Sequence, residues 1–201
     1  MTIQQIDIPS TARVVLRALA GTAFCTLCAG TMWAMRVANF IPSRAAEALG
    51  IVGGLAFGVL GGLFSANYHR ISPDRITIAP ENFNALVGAL IDRPPFQRFC
   101  TMFVVWFLMA YASLDITVSE IVTLATGAPG LGAATVSSWS SAGLSQSAHF
   151  EVDELGFMFH SPFSATYADG QTVQKGATLA LTGKVSPLGI EVQHWEAQPS
   201  D

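Results

Sequence analysis

Charge is what this chain has least of. Lys, Arg, Asp and Glu make up 12% of its 201 residues, about half the share found in an ordinary soluble domain. Basic side chains nearly vanish past Phe99: Arg13, Arg17, Arg36, Arg44, Arg70, Arg75, Arg93 and Arg98 precede it, and only Lys175 and Lys184 follow. With a net charge of −4 and no basic cluster beside stacking aromatics, nucleic-acid binding is excluded. Cysteine is scarce as well. Cys25, Cys28 and Cys100 all lie in apolar stretches, so no disulfide staples the polar C-terminal region. Neither Cys25 nor Cys28 follows the small residue a lipoprotein site needs, and no lipid anchor is expected. No loop ends in Gly-Lys-Ser/Thr to cradle a phosphate, and no serine sits in a nucleophile-elbow pattern. The expectation is a chain without catalytic residues, cofactor or metal.

What is present in abundance is apolar sequence: 51% of residues are hydrophobic and the mean hydropathy is +0.45. Its centre is the stretch from Ala46 to Ala66, where Gly50, Gly54, Gly58 and Gly62 recur at every fourth position. On a helix these glycines, with Ala46, Gly61 and Ser65, form a narrow groove, while Leu49, Val52, Leu55, Val59, Leu60 and Leu63 cover the other side. Each interior glycine costs a water-exposed helix about 1 kcal/mol relative to alanine, so such a row breaks a soluble helix. In a bilayer the backbone must bond to itself, and small residues let a neighbouring helix approach closely. The segment reads as a membrane-spanning packing helix.

The preceding apolar run predicts another span. Ser10 or Thr11 can cap a helix from Ala12, and Ala18 to Met35 is uncharged before Arg36 closes it. It is followed by further spans and has no clean cleavage site, which favours an uncleaved anchor over a secretory signal. Ala18, Thr22, Thr26, Gly30 and Ala34 make a second small-residue row. Two consecutive rows joined by a short connection predict a tight antiparallel hairpin between the first and second spans; the alternative is that the small residues only fill space.

Beyond Pro73, Phe83, Leu86, Val87, Leu90 and Ile91 follow helical periodicity between Pro80 and Pro94. About a dozen residues are too few to span, so this amphipathic face is expected at the membrane surface or packed beneath the spans. Phe99 to Leu114 begins a third span, bulky and aromatic where the second is small, continuing past Asp115 and Glu120 towards Leu124. From Ala148 the pattern changes to two-residue alternation (Phe150 and Val152, Phe157 and Phe159, Leu179 and Leu181, Ile190, Val192 and His194), with turns at Asp169-Gly170, Lys175-Gly176 and Pro187 to Gly189. Residues 169–183 resemble the opening strands of bacterial immunoglobulin-like domains but contain no position diagnostic of that family, and no expectation follows from it.

The predicted fold class is an α-helical membrane protein of three transmembrane helices with small-residue packing, plus a small C-terminal all-β domain. Residues 1–127 form the membrane domain, with spans at 12–36, 45–68 and 98–124 and a loop helix at 80–92. Residues 128–147, rich in Gly, Ser and Ala, read as a linker, and 148–201 as the β-rich domain. At roughly 50 residues without a disulfide, that domain has a marginal core and should lean on a partner or on copies of itself. The arginine distribution places the N-terminus in the cytoplasm and the β-rich tail in the periplasm or an equivalent space, so the cell inner membrane is the expected location.

Three groups could carry chemistry. Cys25 and Cys28 have redox or metal spacing, yet fall mid-span without a second pair and read as buried small hydrophobes. Asp115 and Glu120 adjoin apolar sequence and could relay a proton or cation, or be ordinary hydrated acids at the outer boundary, with Arg36 as a partner for either. His149, His160 and His194 lack the tight spacing of a metal site. The function expected is a non-enzymatic membrane subunit, a structural or assembly component of a secretion, conjugation or respiratory type of envelope complex. Its partners would be the lipid bilayer and other membrane proteins or copies of itself. The alternatives are a pore or transporter element assembled through the glycine-rich helix and, third, a thiol oxidoreductase.

Overall fold

The computed structural model describes residues 10–35, 39–67, 94–141, 147–152, 163–166 and 176–197. Helix α1 (Ser10–Ala34) and helix α2 (Arg44–Ala66) are followed by a third helical run made of α3 (Pro95–Ala112), a π-helical segment (Ser113–Val118) and α4 (Ser119–Thr126). All three runs are long and apolar enough to cross a membrane. Their ends follow local chemistry. Ser43 caps α2, its Oγ accepting from the N–H groups of Ala45 and Ala46 at 3.2 and 3.3 Å. Pro95 opens α3 where no N–H is needed. The C-terminal end of α2 is held by Arg98, whose Nη2 donates to the Ala66 carbonyl at 3.2 Å.

The glycine face of α2 is filled by α3. The two helices run antiparallel, and Gly62, Gly58, Gly54 and Gly50 receive in turn Phe99, Phe103, Phe107 and Tyr111. A Cβ at Gly54 would lie 2.9 Å from the Phe107 ring, and one at Gly58 3.0 Å from Phe103. The rings stack along α3 with centroids 6.1, 6.1 and 6.2 Å apart. Trp106 lies against Gly61. Ala46, Gly50, Gly54, Gly58, Gly61 and Gly62 are accordingly buried, whereas Ser65 is only half-buried.

This corrects the hairpin expected between α1 and α2, because α1 instead packs along α3 and the π-helical segment. Of its small-residue row only Gly30 and Ala34 are drawn into that contact; Ala18, Thr22 and Thr26 are exposed. Small-on-small packing loses to α3 because a ring seated in a glycine notch brings far more atoms into contact than two facing notches do.

The C-terminal strands form an antiparallel sheet, and it takes in a strand from the helical region. Strands β1 (Phe40–Pro42), β2 (Ala128–Ser141), β3 (Ser147–Val152), β4 (Phe163–Thr166), β5 (Thr178–Ser186) and β6 (Gly189–Ala197) are arranged β1-β6-β5-β2-β3-β4. The stretch 128–141, expected as part of a linker, is therefore the long strand β2, paired with β5 from Ala128↔Val185 to Thr135↔Thr178. Its pairing with β3 on the other side begins only at Val136. Leu179, Leu181, Ile190 and Val192 are buried as their alternation predicts, together with Ala134, Val136 and Ile41. His194 is not: the register shifts after Val192, which reverses the facing of the residues beyond it and leaves His194 exposed beside Glu196. Gly176, in the expected Lys175-Gly176 turn, has φ +87°, a conformation that favours glycine.

Strand β1 comes from the α1–α2 connection, with Ile41 opposite Ile190. The marginal β region thus leans on its own chain. The connection, the sheet and α4 share one end of the helices, and Asn67 and Pro94 lie at the other.

Candidate functional site

Where the helices meet the sheet, polar side chains gather in an otherwise apolar molecule. The π-helical segment begins the arrangement. Its wider turn directs Ser113 and Thr117 to α1 while Asp115 remains against Gly50 of α2. Ser113 Oγ donates to Leu27 O at 3.0 Å, Thr117 Oγ1 to Gly30 O at 2.7 Å, and Thr31 Oγ1 to Met109 O at 3.1 Å. These bonds hold α1 to the third run by hydroxyl-to-carbonyl contacts, which close approach at Gly30 permits.

The carboxylates lie around this seam. Asp115 is 1% exposed and its Oδ1 has no hydrogen-bond partner among the described residues. Glu47 of α2 is near enough to Asp115 to interact with it electrostatically. Glu120 is 9% exposed, and its Oε2 accepts from Trp33 Nε1 at 2.7 Å. Glu191 of β6 faces Glu120, and burial, with Glu120 as a second cause, pushes its carboxyl up to about 7.

A chain of hydroxyls continues into the sheet. The Leu188 N–H donates to Ser186 Oγ at 3.0 Å, Ser186 and Thr123 share a 2.7 Å hydrogen bond, and Thr123 Oγ1 donates to Ser119 O at 2.8 Å. Lys184 Nζ donates to Leu124 O at 2.8 Å, and Ser43 Oγ to Pro187 O at 2.7 Å. The β5–β6 turn is therefore bonded both to the end of α4 and to the cap of α2.

Asp115 and Glu120 were both legible as candidates, but the expected hydrated setting is corrected: both are enclosed by protein. Trp33, Ser113, Thr117 and Glu191 are additions that the sequence did not single out. Arg36 and the amphipathic residues Phe83, Leu86, Val87, Leu90 and Ile91 lie outside the described residues. Cys25 and Cys28 are free thiols; Cys25 is exposed on the outer side of α1 and Cys28 half-exposed, which corrects the buried setting expected of them. At that level α1 packs through Leu27, Gly30 and Thr31, and Cys25 lies on the opposite side of the helix from Leu27. Among the described residues no group of three or more His, Cys, Asp or Glu is placed to hold a metal ion. Carboxylates held this way can store a proton or meet a cation. Comparison with family models, curated proteins and solved structures finds no match to the chain.

Proposed function

We propose that this protein is a non-enzymatic subunit of the inner membrane, a structural or assembly component of a multiprotein envelope complex of secretion, conjugation or respiratory type. The N-terminus and the end bearing Asn67 and Pro94 lie in the cytoplasm, and the sheet lies in the periplasm or its equivalent. The arginine distribution supports that orientation, and the pairing of β1 with β6 supports placing the α1–α2 connection and the C-terminal strands on one side.

One observation carries the reading. Helix α1 has only 6% of its most apolar window buried, against 28% for α2 and 39% for the third run. Ala18, Thr22 and Thr26 face outward, and a Cβ at Gly21 would meet nothing within 4 Å. A span with an outward row of small residues suits close packing by a helix of another protein or another copy. A pore assembled through the glycine face of α2 has less support, because Phe99, Phe103, Phe107 and Tyr111 of the same chain occupy that face.

Membranes dissolved directly into lipid nanodiscs provide the test. Particle masses should exceed that of one 21.3 kDa chain with its lipid, and Thr22→Trp should return them to the single-chain value. Single chains without companions in the unaltered protein overturn the proposal.

A further inference from the structure

Towards the end opposite the sheet, a groove of about 430 Å³ lies between α1 and α2, with Trp106 in its lining. Its walls include Leu16 and Ala23 of α1 and Leu60 and Phe64 of α2, with Asn67 at the rim. The volume falls within the range of ligand pockets, about 300–1,000 Å³.

The mouth is basic. Arg13 and Arg17 are half-buried, whereas Val14 and Val15 between them are 63% and 54% exposed. Both arginines thus fall on the inward stripe of α1 that continues through Ala20, Ala23 and the buried Leu27. Arg98 is at the same end, buried and bonded to the last turn of α2. An apolar trough whose α1 wall carries arginines on the same stripe towards the helix N-terminus is complementary to one amphiphile class: an acyl chain with an anionic head group. Each guanidinium has five N–H donors in a planar fork, so an arginine engaged elsewhere still has donors for a phosphate.

We propose that this groove binds a phospholipid with an anionic head group, one acyl chain lying between α1 and α2 over Trp106 and the phosphate held by Arg13 and Arg17. Basic pockets between membrane helices on the cytoplasmic side select such lipids. The proposal rests on the membrane insertion proposed above but not on any protein partner.

The test uses the purified full-length protein in detergent with equal amounts of phosphatidylglycerol and phosphatidylcholine of identical chains, read by native mass spectrometry. Phosphatidylglycerol should be retained over phosphatidylcholine by about fivefold for each arginine engaged. Arg13→Gln with Arg17→Gln should abolish the preference, and the corresponding pair of lysine substitutions should keep most of it. Ala23→Phe, which fills the groove, should lower retention of both lipids with the arginines intact. Equal retention by the unaltered protein, a preference surviving the double glutamine variant, or a lipid-free dimer with the groove closed by a second copy would each overturn the lipid site alone. Release of the protein from membranes by alkaline carbonate would overturn the insertion on which this and the subunit reading both depend.

Discussion

Glu191 sits half-buried on β6 with Oε2 lacking a hydrogen-bond partner among the described residues. Its carboxyl, ordinarily at 4.5, is pushed up to about 7 first by burial and then by Glu120. The folded state therefore holds this proton more tightly than the unfolded chain does. The stability it contributes is full below about pH 4.5 and is lost as pH rises through about 7. In detergent, the melting temperature of Glu191→Gln should fall less than that of the unaltered protein between pH 5 and pH 8, with the variant the more stable at pH 8. Parallel pH profiles would refute this. Asp115 and Glu120 could be picked from sequence because acids beside apolar runs are conspicuous. Their enclosure could not, because it depends on Trp33, 87 positions from Glu120, and on a sheet whose path the local pattern leaves open.

Among the elements, the fit of α2 to α3 matters most. Gly58→Leu must displace the Phe103 ring and the backbone behind it, a conflict expected to cost about 1–3 kcal/mol. Gly21→Leu enters open space, and its effect should stay within about 0.5 kcal/mol. Thermal unfolding in detergent, followed by circular dichroism, compares the two; equal losses would contradict the seating of rings in glycine notches. The four-residue glycine period was readable from the sequence, and so was the helix that carries it. Its partner was not, although Phe99, Phe103, Phe107 and Tyr111 repeat with the same period. The row from Ala18 to Ala34 matches equally well, and period alone does not weigh a ring against a methyl group. The π-helical turn left no legible mark, because Ser113 to Val118 has the composition of an ordinary helix. The long strand β2 was hidden for the opposite reason: its Gly, Ala and Ser content resembles a linker, and its pairing depends on distant β5.

At the scale of the whole molecule, the sheet cannot be cut from the helices. Ile41 belongs to its core, Ser43 caps α2 and bonds to Pro187, and Thr123 joins Ser186. Residues 128–201 produced alone should consequently be unfolded, with narrow amide proton dispersion in NMR spectra, although most of the sheet's strands lie within them. Well-dispersed spectra of that fragment would show the helices dispensable. Gly189 marks the tightest point of the junction: at φ +151° it lies beneath Ile41 O and the Phe40 ring, where a side chain has no room.

The strand Phe40–Pro42 waits for its neighbour. Ser43 and the carbonyl it bonds are 144 positions apart, so at ribosomal speed about 7–30 s separate their synthesis. During that interval Phe40–Pro42 has no partner strand in β6, because Gly189–Glu191 has yet to be made. A chain that stopped short of β6 would leave the Phe40–Pro42 edge unpaired, so closure of the seam reports that both of its distant halves have been made.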